Sequence, residues 1–445
     1  MVHTFEYKNN LFALDVESGS VHVLSKLAYD AINKIEKGKD TLTLLSDYTK
    51  EDLDEVLCEI EELKKEGVLF SRKEYVPEDI KSFRPVCKAL CLNVTTGCNL
   101  RCEYCFAGAG KVAHENMSYE TAKKAIDFLI DNSDDRVNLE VDFFGGEPTM
   151  NFDVIKRTTD YARSKEEETG KNFRFTVTTN AYHLSDDMID FFNHEMKNIV
   201  ISMDGRKDIH DSIRKTSSGK DSFVKVLENA KKLVEKRDGK EYYIRGTYTK
   251  KNLDFSKDVV NLYDLGFKEV SIEPVVTSGD IALTKEDLPK IIEEYEILAD
   301  YLSKYRKSRG LNFFHFNIDL SGGPCLNKRL KGCGAGVEYF AVNPNGNIYP
   351  CHQFAGDDSF IMGNVFEGKI DKNIQEKFED CHVYTKEDCK TCAVKYYCSG
   401  GCIANAYHEH RSFSKPYELE CEMMKKRVEL GIAINVLEEN DDTDL

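Results

Sequence analysis

The stretch Ala89-Leu90-Cys91-Leu92-Asn93-Val94-Thr95-Thr96-Gly97-Cys98-Asn99-Leu100-Arg101-Cys102-Glu103-Tyr104-Cys105-Phe106 opens on an apolar run of strand length and closes on three cysteines. A short apolar run bounded by a turn signal reads as a buried strand. The pattern recurs at residues 137–144, 173–178, 198–203, 242–247 and 269–275, each run separated from the next by a helical stretch. Six βα units predict an α/β fold, a partial (β/α)6 barrel of parallel strands covered by helices, since a closed barrel takes eight. Chemistry in such sheets collects at the C-terminal strand ends, where the three cysteines fall.

The chain has 445 residues, enough for about three domains. Hydrophobic residues make up 41% and charged residues 31%, and no apolar run nears the ~18 residues of a membrane span, so no membrane role is expected. The opening MVHTFEYKNNLF carries no export signal and predicts a cytoplasmic protein. A net charge of -17 argues against nucleic acid, whose phosphates demand a positive footprint, and suits a basic peptide or a small molecule. Fifteen cysteines without an export signal favour metal or redox chemistry over disulfides. Five lie between Cys87 and Cys105, nine between Cys325 and Cys421, and none from 106 to 324, so two separate metal regions are expected.

Residues 1–80 read as a small module. Strand-like runs at 11–15 and 21–24 flank the turn Glu17-Ser18-Gly19-Ser20. Leu27, Ala31, Ile32 and Ile35 share one helical face, Leu53, Leu57, Ile60 and Leu63 another, and 67–70 reads as a final strand. The module has 10 Lys or Arg against 18 Asp or Glu. Residues 81–310 hold the barrel, 311–430 a cysteine-rich region whose fold is expected to depend on metal, and 431–445 an acidic tail expected to be disordered.

Cys98, Cys102 and Cys105 follow a C-x3-C-x2-C spacing. Three thiolates on one loop hold three irons of a cubane and leave the fourth open to a ligand; zinc completed by a histidine such as His114 is the alternative. After the second strand comes Gly145-Gly146-Glu147-Pro148, where glycines permit close backbone approach and carbonyls can accept from an ammonium group. In the C-terminal region Cys333 and Cys351 precede Cys389-x2-Cys392-x5-Cys398-x3-Cys402, and Cys421 follows. A zinc ribbon on Cys389, Cys392, Cys398 and Cys402 would leave the other three unexplained.

Together the cysteine triplet and GGEP resemble the radical S-adenosylmethionine (SAM) superfamily, whose open iron chelates SAM. The resemblance implies that Cys98, Cys102 and Cys105 form the catalytic cluster site. Phe106, Gly145, Gly146, Glu147 and Pro148 would line the SAM site with Asn180, Ser202, Asp204 and Ser222. Arg245 is similar to the arginine that meets the SAM carboxylate, with a core or surface role as the alternative; Glu273 lines the site or caps a helix. The seven C-terminal cysteines match the SPASM extension. This implies two auxiliary [4Fe-4S] clusters, one on Cys333, Cys351 and Cys402 and one on Cys389, Cys392, Cys398 and Cys421, for three clusters in all. Cys325, at a looser spacing, is a candidate fourth ligand of the first.

The N-terminal module is similar to the winged-helix element by which ribosomal-peptide maturases bind a leader through strand addition. Gly322-Gly323-Pro324-Cys325, Cys333-Gly334-Ala335-Gly336 and Tyr349-Pro350-Cys351-His352-Gln353-Phe354 look like the SCIFF-peptide maturases, of the sactisynthase or ranthipeptide type, which install thioethers. The implied partners are a cysteine-containing precursor peptide and an electron donor such as flavodoxin or ferredoxin. Two rivals stand beside this reading: oxidation of a Ser or Cys side chain, as in anaerobic sulfatase maturases, and a non-catalytic iron-sulfur electron carrier.

Overall fold

The computed structural model describes residues 1–72, 86–108, 113–320 and 326–443. Its strands in chain order are β1 (Val2–Tyr7), β2 (Asn10–Asp15), β3 (Val21–Leu24), β4 (Ala89–Thr95), β5 (Leu100–Cys102), β6 (Asn138–Gly145), β7 (Asn172–Thr179) and β8 (Met196–Ser202). They continue with β9 (Arg214–Thr216), β10 (Glu241–Tyr248), β11 (Glu269–Pro274), β12 (Asn312–Phe313), β13 (Tyr339–Val342), β14 (Asn347–Tyr349), β15 (Gly363–Asn364) and β16 (Lys369–Ile370). The six expected runs are the six long parallel strands β4, β6, β7, β8, β10 and β11, in that spatial order, with ends displaced by at most two residues. Successive residues of a strand face opposite sides. Val141 and Phe143 of β6 join the outer apolar core, so Asp142 and Phe144 face the barrel interior. The covering helices start on good caps: Ser118 accepts from Thr121 N and Ser185 from Met188 N, each worth about 1 kcal/mol.

The barrel stays open. Beyond β4 the sheet is extended by β13, parallel to it, and then by β14, β15 and β16 in antiparallel succession. The cysteine-rich region therefore grows out of the barrel's own sheet. It also has an apolar core of its own, in which Phe354 meets Phe360 at 4.4 Å and Tyr407 stacks on Phe413 at 4.9 Å, beside the dependence on metal expected of it. The tail expected to be disordered from 431 is instead part of one helix, Glu418–Thr443. Its Ile432, Ala433 and Ile434 are buried, and its Arg427 donates to Tyr295 Oη at 2.7 Å on the helix Leu288–Arg309. Apolar burial upstream of the acidic end outweighs that end's charge.

In the N-terminal module, β1, β2 and β3 form an antiparallel sheet against the helices Lys26–Glu36 and Lys50–Glu66, around Ala13, Ala31, Ile32, Leu53 and Ile60. Residues 67–70 form a turn rather than the expected strand, because Gly67 (φ +76°) and Phe70 (φ +50°) are left-handed. The module is docked at two places. Tyr7 Oη donates to Asp300 Oδ1 at 2.7 Å and His3 Nε2 pairs with Glu429 at 2.9 Å. Glu17, in the turn before β3, accepts from Lys395 Nζ and from Tyr396 Oη, both at 2.7 Å, and the Glu17–Lys395 ion pair is buried. The expected boundary at 80/81 and Cys325 both lie outside the described residues.

Candidate functional site

The three barrel cysteines are positioned by strand pairing across a long sequence separation. β5 pairs antiparallel with β9, placing Cys102 opposite Arg214. Arg214 Nε donates to Asp204 Oδ2 at 2.9 Å, and its Nη1 lies 3.8 Å from Cys102 Sγ. Tyr104 Oη donates to both oxygens of Asp204 at 2.8 Å, and Thr247 N donates to Oδ1 at 3.0 Å. Asp204 is fully buried, so this donor set replaces the water it has lost. Beneath it, His210 Nδ1 accepts from Asp204 N at 3.3 Å, and its Nε2–H faces Ser222 Oγ at 3.0 Å. Burial holds His210 down to about 4, hence neutral, and the Ser222 hydroxyl donates a hydrogen bond to Arg214 O.

Glu147 organises the other side of the loop. Its buried carboxylate accepts from Thr149 Oγ1, Thr179 Oγ1 and Asn180 N, all at 2.7 Å. Asn180 in turn donates to Asn99 Oδ1 at 2.8 Å and points its amide at Cys98 Sγ, 3.7 Å away. The two glycines before Glu147 serve the same contact: a Cβ on Gly145 would lie 2.2 Å from Thr95 O, and one on Gly146 2.1 Å from Gly97 O. They let the end of β6 lie directly against the cysteine loop, with Gly146 N on Thr95 O and Glu147 N on Gly97 O, both at 2.8 Å. Burial pushes the Cys98 thiol up to about 12 and Cys102 up to about 11, with neighbouring thiols adding to Cys98 and Arg214 opposing at Cys102. Buried thiols become thiolates when a metal centre supplies the compensating charge, so this donor set fits an iron-sulfur cluster.

The C-terminal thiols fall into two neighbourhoods. Cys402, half-buried and raised by desolvation, feels Cys351 and Cys333; Cys351 is pushed up to about 12, first by burial, with Cys333 contributing. Cys398 is raised to about 12 by burial with help from Cys421, Cys389 and Cys392, and Cys421 likewise to about 12 with Cys389 and Cys392. All these thiols are free, and their chemistry again suits iron-sulfur ligation. Among the described residues no three His, Cys, Asp or Glu side chains converge tightly enough to hold a single metal ion; the thiols stand as spaced groups.

Residues 92–245 match the Radical SAM superfamily, and residues 333–393 match the SPASM iron-sulfur cluster-binding domain. An uncharacterized protein of Methanocaldococcus jannaschii is 31% identical over 219 residues, 49% of this chain and 72% of its own length. The chain belongs to the radical SAM superfamily. This radical SAM protein is also 28% identical to the mycofactocin maturase MftC of Mycolicibacterium smegmatis, over 74% of the chain and 82% of the relative. Two solved structures share its fold. Native anSMEcpe with bound AdoMet has TM-score 0.66 and 21% identity, covering 79% of this chain and 99% of that one. SuiB of Streptococcus suis, bound to the precursor peptide SuiA, has TM-score 0.51 and 17% identity, covering 94% and 98%. The superfamily and SPASM matches imply [4Fe-4S] chemistry and AdoMet binding.

Against this identity the expected site residues of the radical SAM protein separate into two groups. Asp204, Ser222 and Glu147 are buried with their polar atoms engaged by internal partners, and Pro148 is buried at the start of a short turn of helix. They position the cysteine loop. Phe106, Ser202 and Arg245 remain accessible. Phe106 stacks over Phe144 with ring centroids 6.2 Å apart and meets His352 at 5.4 Å, joining the cysteine loop to the residue after Cys351. Arg245 is paired with Ser202 across β8 and β10, its side chain half exposed and 4.0 Å from Glu273. Glu273 also lies 3.5 Å from His315 Nε2. Sequence reasoning marked the stretch from His210 to Phe223 as similar to SAM contacts but assigned no role to Tyr104, Arg214 or His210; Tyr104 and Arg214 act across about a hundred residues, on Asp204 and Cys102. It also missed Asp142, whose signal was a carboxylate set between the apolar Val141 and Phe143 of a strand-like run.

Proposed function

We propose that this radical SAM protein matures a ribosomally made precursor peptide by joining a cysteine sulfur to a carbon of another residue. The observation that carries the reading is the seating of the N-terminal module. β3 lies at an outer edge of its sheet, and the turn that precedes it is tied through Glu17 to Lys395 and Tyr396, between Cys392 and Cys398. An extended leader added along β3 starts beside the C-terminal cysteines, and the module's acidic balance favours a leader bearing Lys or Arg. The likeness to a mycofactocin maturase, and to the fold of an enzyme bound to its precursor peptide, supports a peptide substrate.

In this reading Cys98, Cys102 and Cys105 hold the SAM-binding [4Fe-4S] cluster. Cys333, Cys351 and Cys402 hold one auxiliary cluster and Cys389, Cys392, Cys398 and Cys421 the other; Cys325 is the candidate fourth ligand of the first. Bound together, SAM and a reduced cluster supply removal of a hydrogen atom from an unactivated carbon. The chain's own residues do the rest. Arg214 and Asn180 aim N–H groups at Cys102 and Cys98, which favours their anionic forms. Phe106, Phe144 and His352 wall the space between the two cysteine regions, where a substrate residue is shielded from water. A cytoplasmic donor of the flavodoxin or ferredoxin type supplies the electron.

The test is co-expression with the short cysteine-containing reading frame nearest its gene, followed by mass spectrometry. The expected product is lighter by two hydrogens and resists thiol alkylation. A product lighter by two hydrogens that reacts as an aldehyde would contradict thioether formation and establish side-chain oxidation instead.

A further inference from the structure

At mid-height the barrel interior carries a layer of polar groups that nothing in the cysteine sites uses. Register places Cys91 of β4 beside Asp142 of β6, Asp142 beside Thr176 of β7, and Thr176 beside Asn198 of β8. Asp142 Oδ1 and Asn198 Oδ1 are both buried with no hydrogen-bond partner. An unsatisfied buried acceptor costs about 1–3 kcal/mol, so two in one layer mark a place where an incoming donor is rewarded. Asp142 also lies on the same strand face as Phe144, two residues or ~7 Å away along β6. Phe144 stacks on Phe106 of the cysteine loop, so Asp142 lies on the strand face that the loop overlooks.

We propose that Asp142 is the proton-accepting residue of the reaction: the substrate's S–H or O–H donates to Asp142 Oδ1 and surrenders its proton there. The inference rests on the peptide-oxidation reading and completes its balance. Bound SAM would supply removal of a hydrogen atom from the acceptor carbon, and a cluster held by the cysteines would accept one electron. The proton of the thiol or hydroxyl goes to Asp142, and the sulfur or oxygen bonds to the carbon. The net loss is two hydrogens.

The surroundings suit the task. Burial raises Asp142 to about 7, with Arg245 on β10 and the Thr178 hydroxyl on β7 opposing. Cys91 on β4 faces it as a neutral thiol, since burial holds that thiol well above its usual range, and Tyr339 on β13 lies behind Cys91. The other interior carboxylate, Glu273, is held below its usual range by His315, Arg245 and Arg427 against its own burial, which leaves it the weaker base. A base is most effective when its pKa lies near the working pH, and positioned proton transfer is worth ~100-fold or more.

The test compares the reconstituted full-length enzyme with Asp142→Asn and Asp142→Glu, using the precursor peptide of the co-expression experiment. Product formation in the native enzyme should rise with pH through about 7, as Asp142 ionises. Asp142→Asn should lose ~100-fold or more in yield and lose the pH rise, with peptide-independent SAM cleavage unchanged, and Asp142→Glu should restore part of both. Any product lighter by two hydrogens serves, so an aldehyde in place of a thioether would overturn the proposed function while leaving the Asp142 dependence readable. Infrared difference spectra of the cofactor-free chain give an independent readout: a carboxyl band absent from Asp142→Asn should titrate near 7. Undiminished yield in Asp142→Asn, or a band titrating in the ordinary carboxylate range, would overturn the proposal.

Discussion

Around Cys102 the backbone is held by buried charge: Asp204 and Arg214 pair at 2.9 Å, Tyr104 and Thr247 complete the donor set, and β5 and β9 clamp the loop. Around Cys389 and Cys398 the helices are four residues long, Glu387–Lys390 and Lys395–Cys398, and the fixed points are the Glu17–Lys395 pair and an apolar cluster around Tyr384 and Tyr396. The first region is held by contacts within the barrel itself. The second borrows its order from the N-terminal module, so the segment proposed to receive a leader also props up one group of cysteines.

The difference can be broken from either side. Arg214→Met leaves Asp204 buried and uncompensated, and should cost about 3–5 kcal/mol in denaturant unfolding together with loss of the barrel cluster. Lys395→Met leaves Glu17 the Tyr396 hydroxyl, so the expected cost is about 3 kcal/mol. Its signature should be loss of iron from the C-terminal region alone; equal loss from both regions would show that the docking is global. Gly146→Ala drives a methyl toward Gly97 O and should cost about 2 kcal/mol, with weaker SAM binding by calorimetry.

The smallest effect per step of the variable is pH-dependent. His210 has its pKa lowered to about 4, so the fold favours the neutral ring; its contribution is complete above about 6.5 and is lost as pH falls toward 4. Wild-type stability should fall by up to about 1.4 kcal/mol per pH unit between about 6 and 4.5 through this group, and His210→Gln should lack that slope.

The long barrel strands were legible because parallel strands buried on both faces read as continuous apolar runs, and 89–95 is buried at every position. β13 to β16 were not, since strands of two to four residues leave too short a pattern. The helix Glu418–Thr443 was masked by the acidic run that ends it, although Ile432 and Ile434 face the barrel. Among site residues, the cysteines announced themselves by spacing. The function of Glu147 as a staple did not, because its partners Thr179 and Asn180 are supplied by another strand end.

Iron content of the Cys98→Ala/Cys102→Ala/Cys105→Ala chain, reconstituted anaerobically and read by Mössbauer spectroscopy, tests most directly whether two cysteine regions were built separately. The account predicts about twelve irons per chain in the wild type and about eight in the triple variant, all in [4Fe-4S] form. About four or fewer in the triple variant would contradict it, showing either that the C-terminal thiols hold fewer than two clusters or that their order depends on the barrel site.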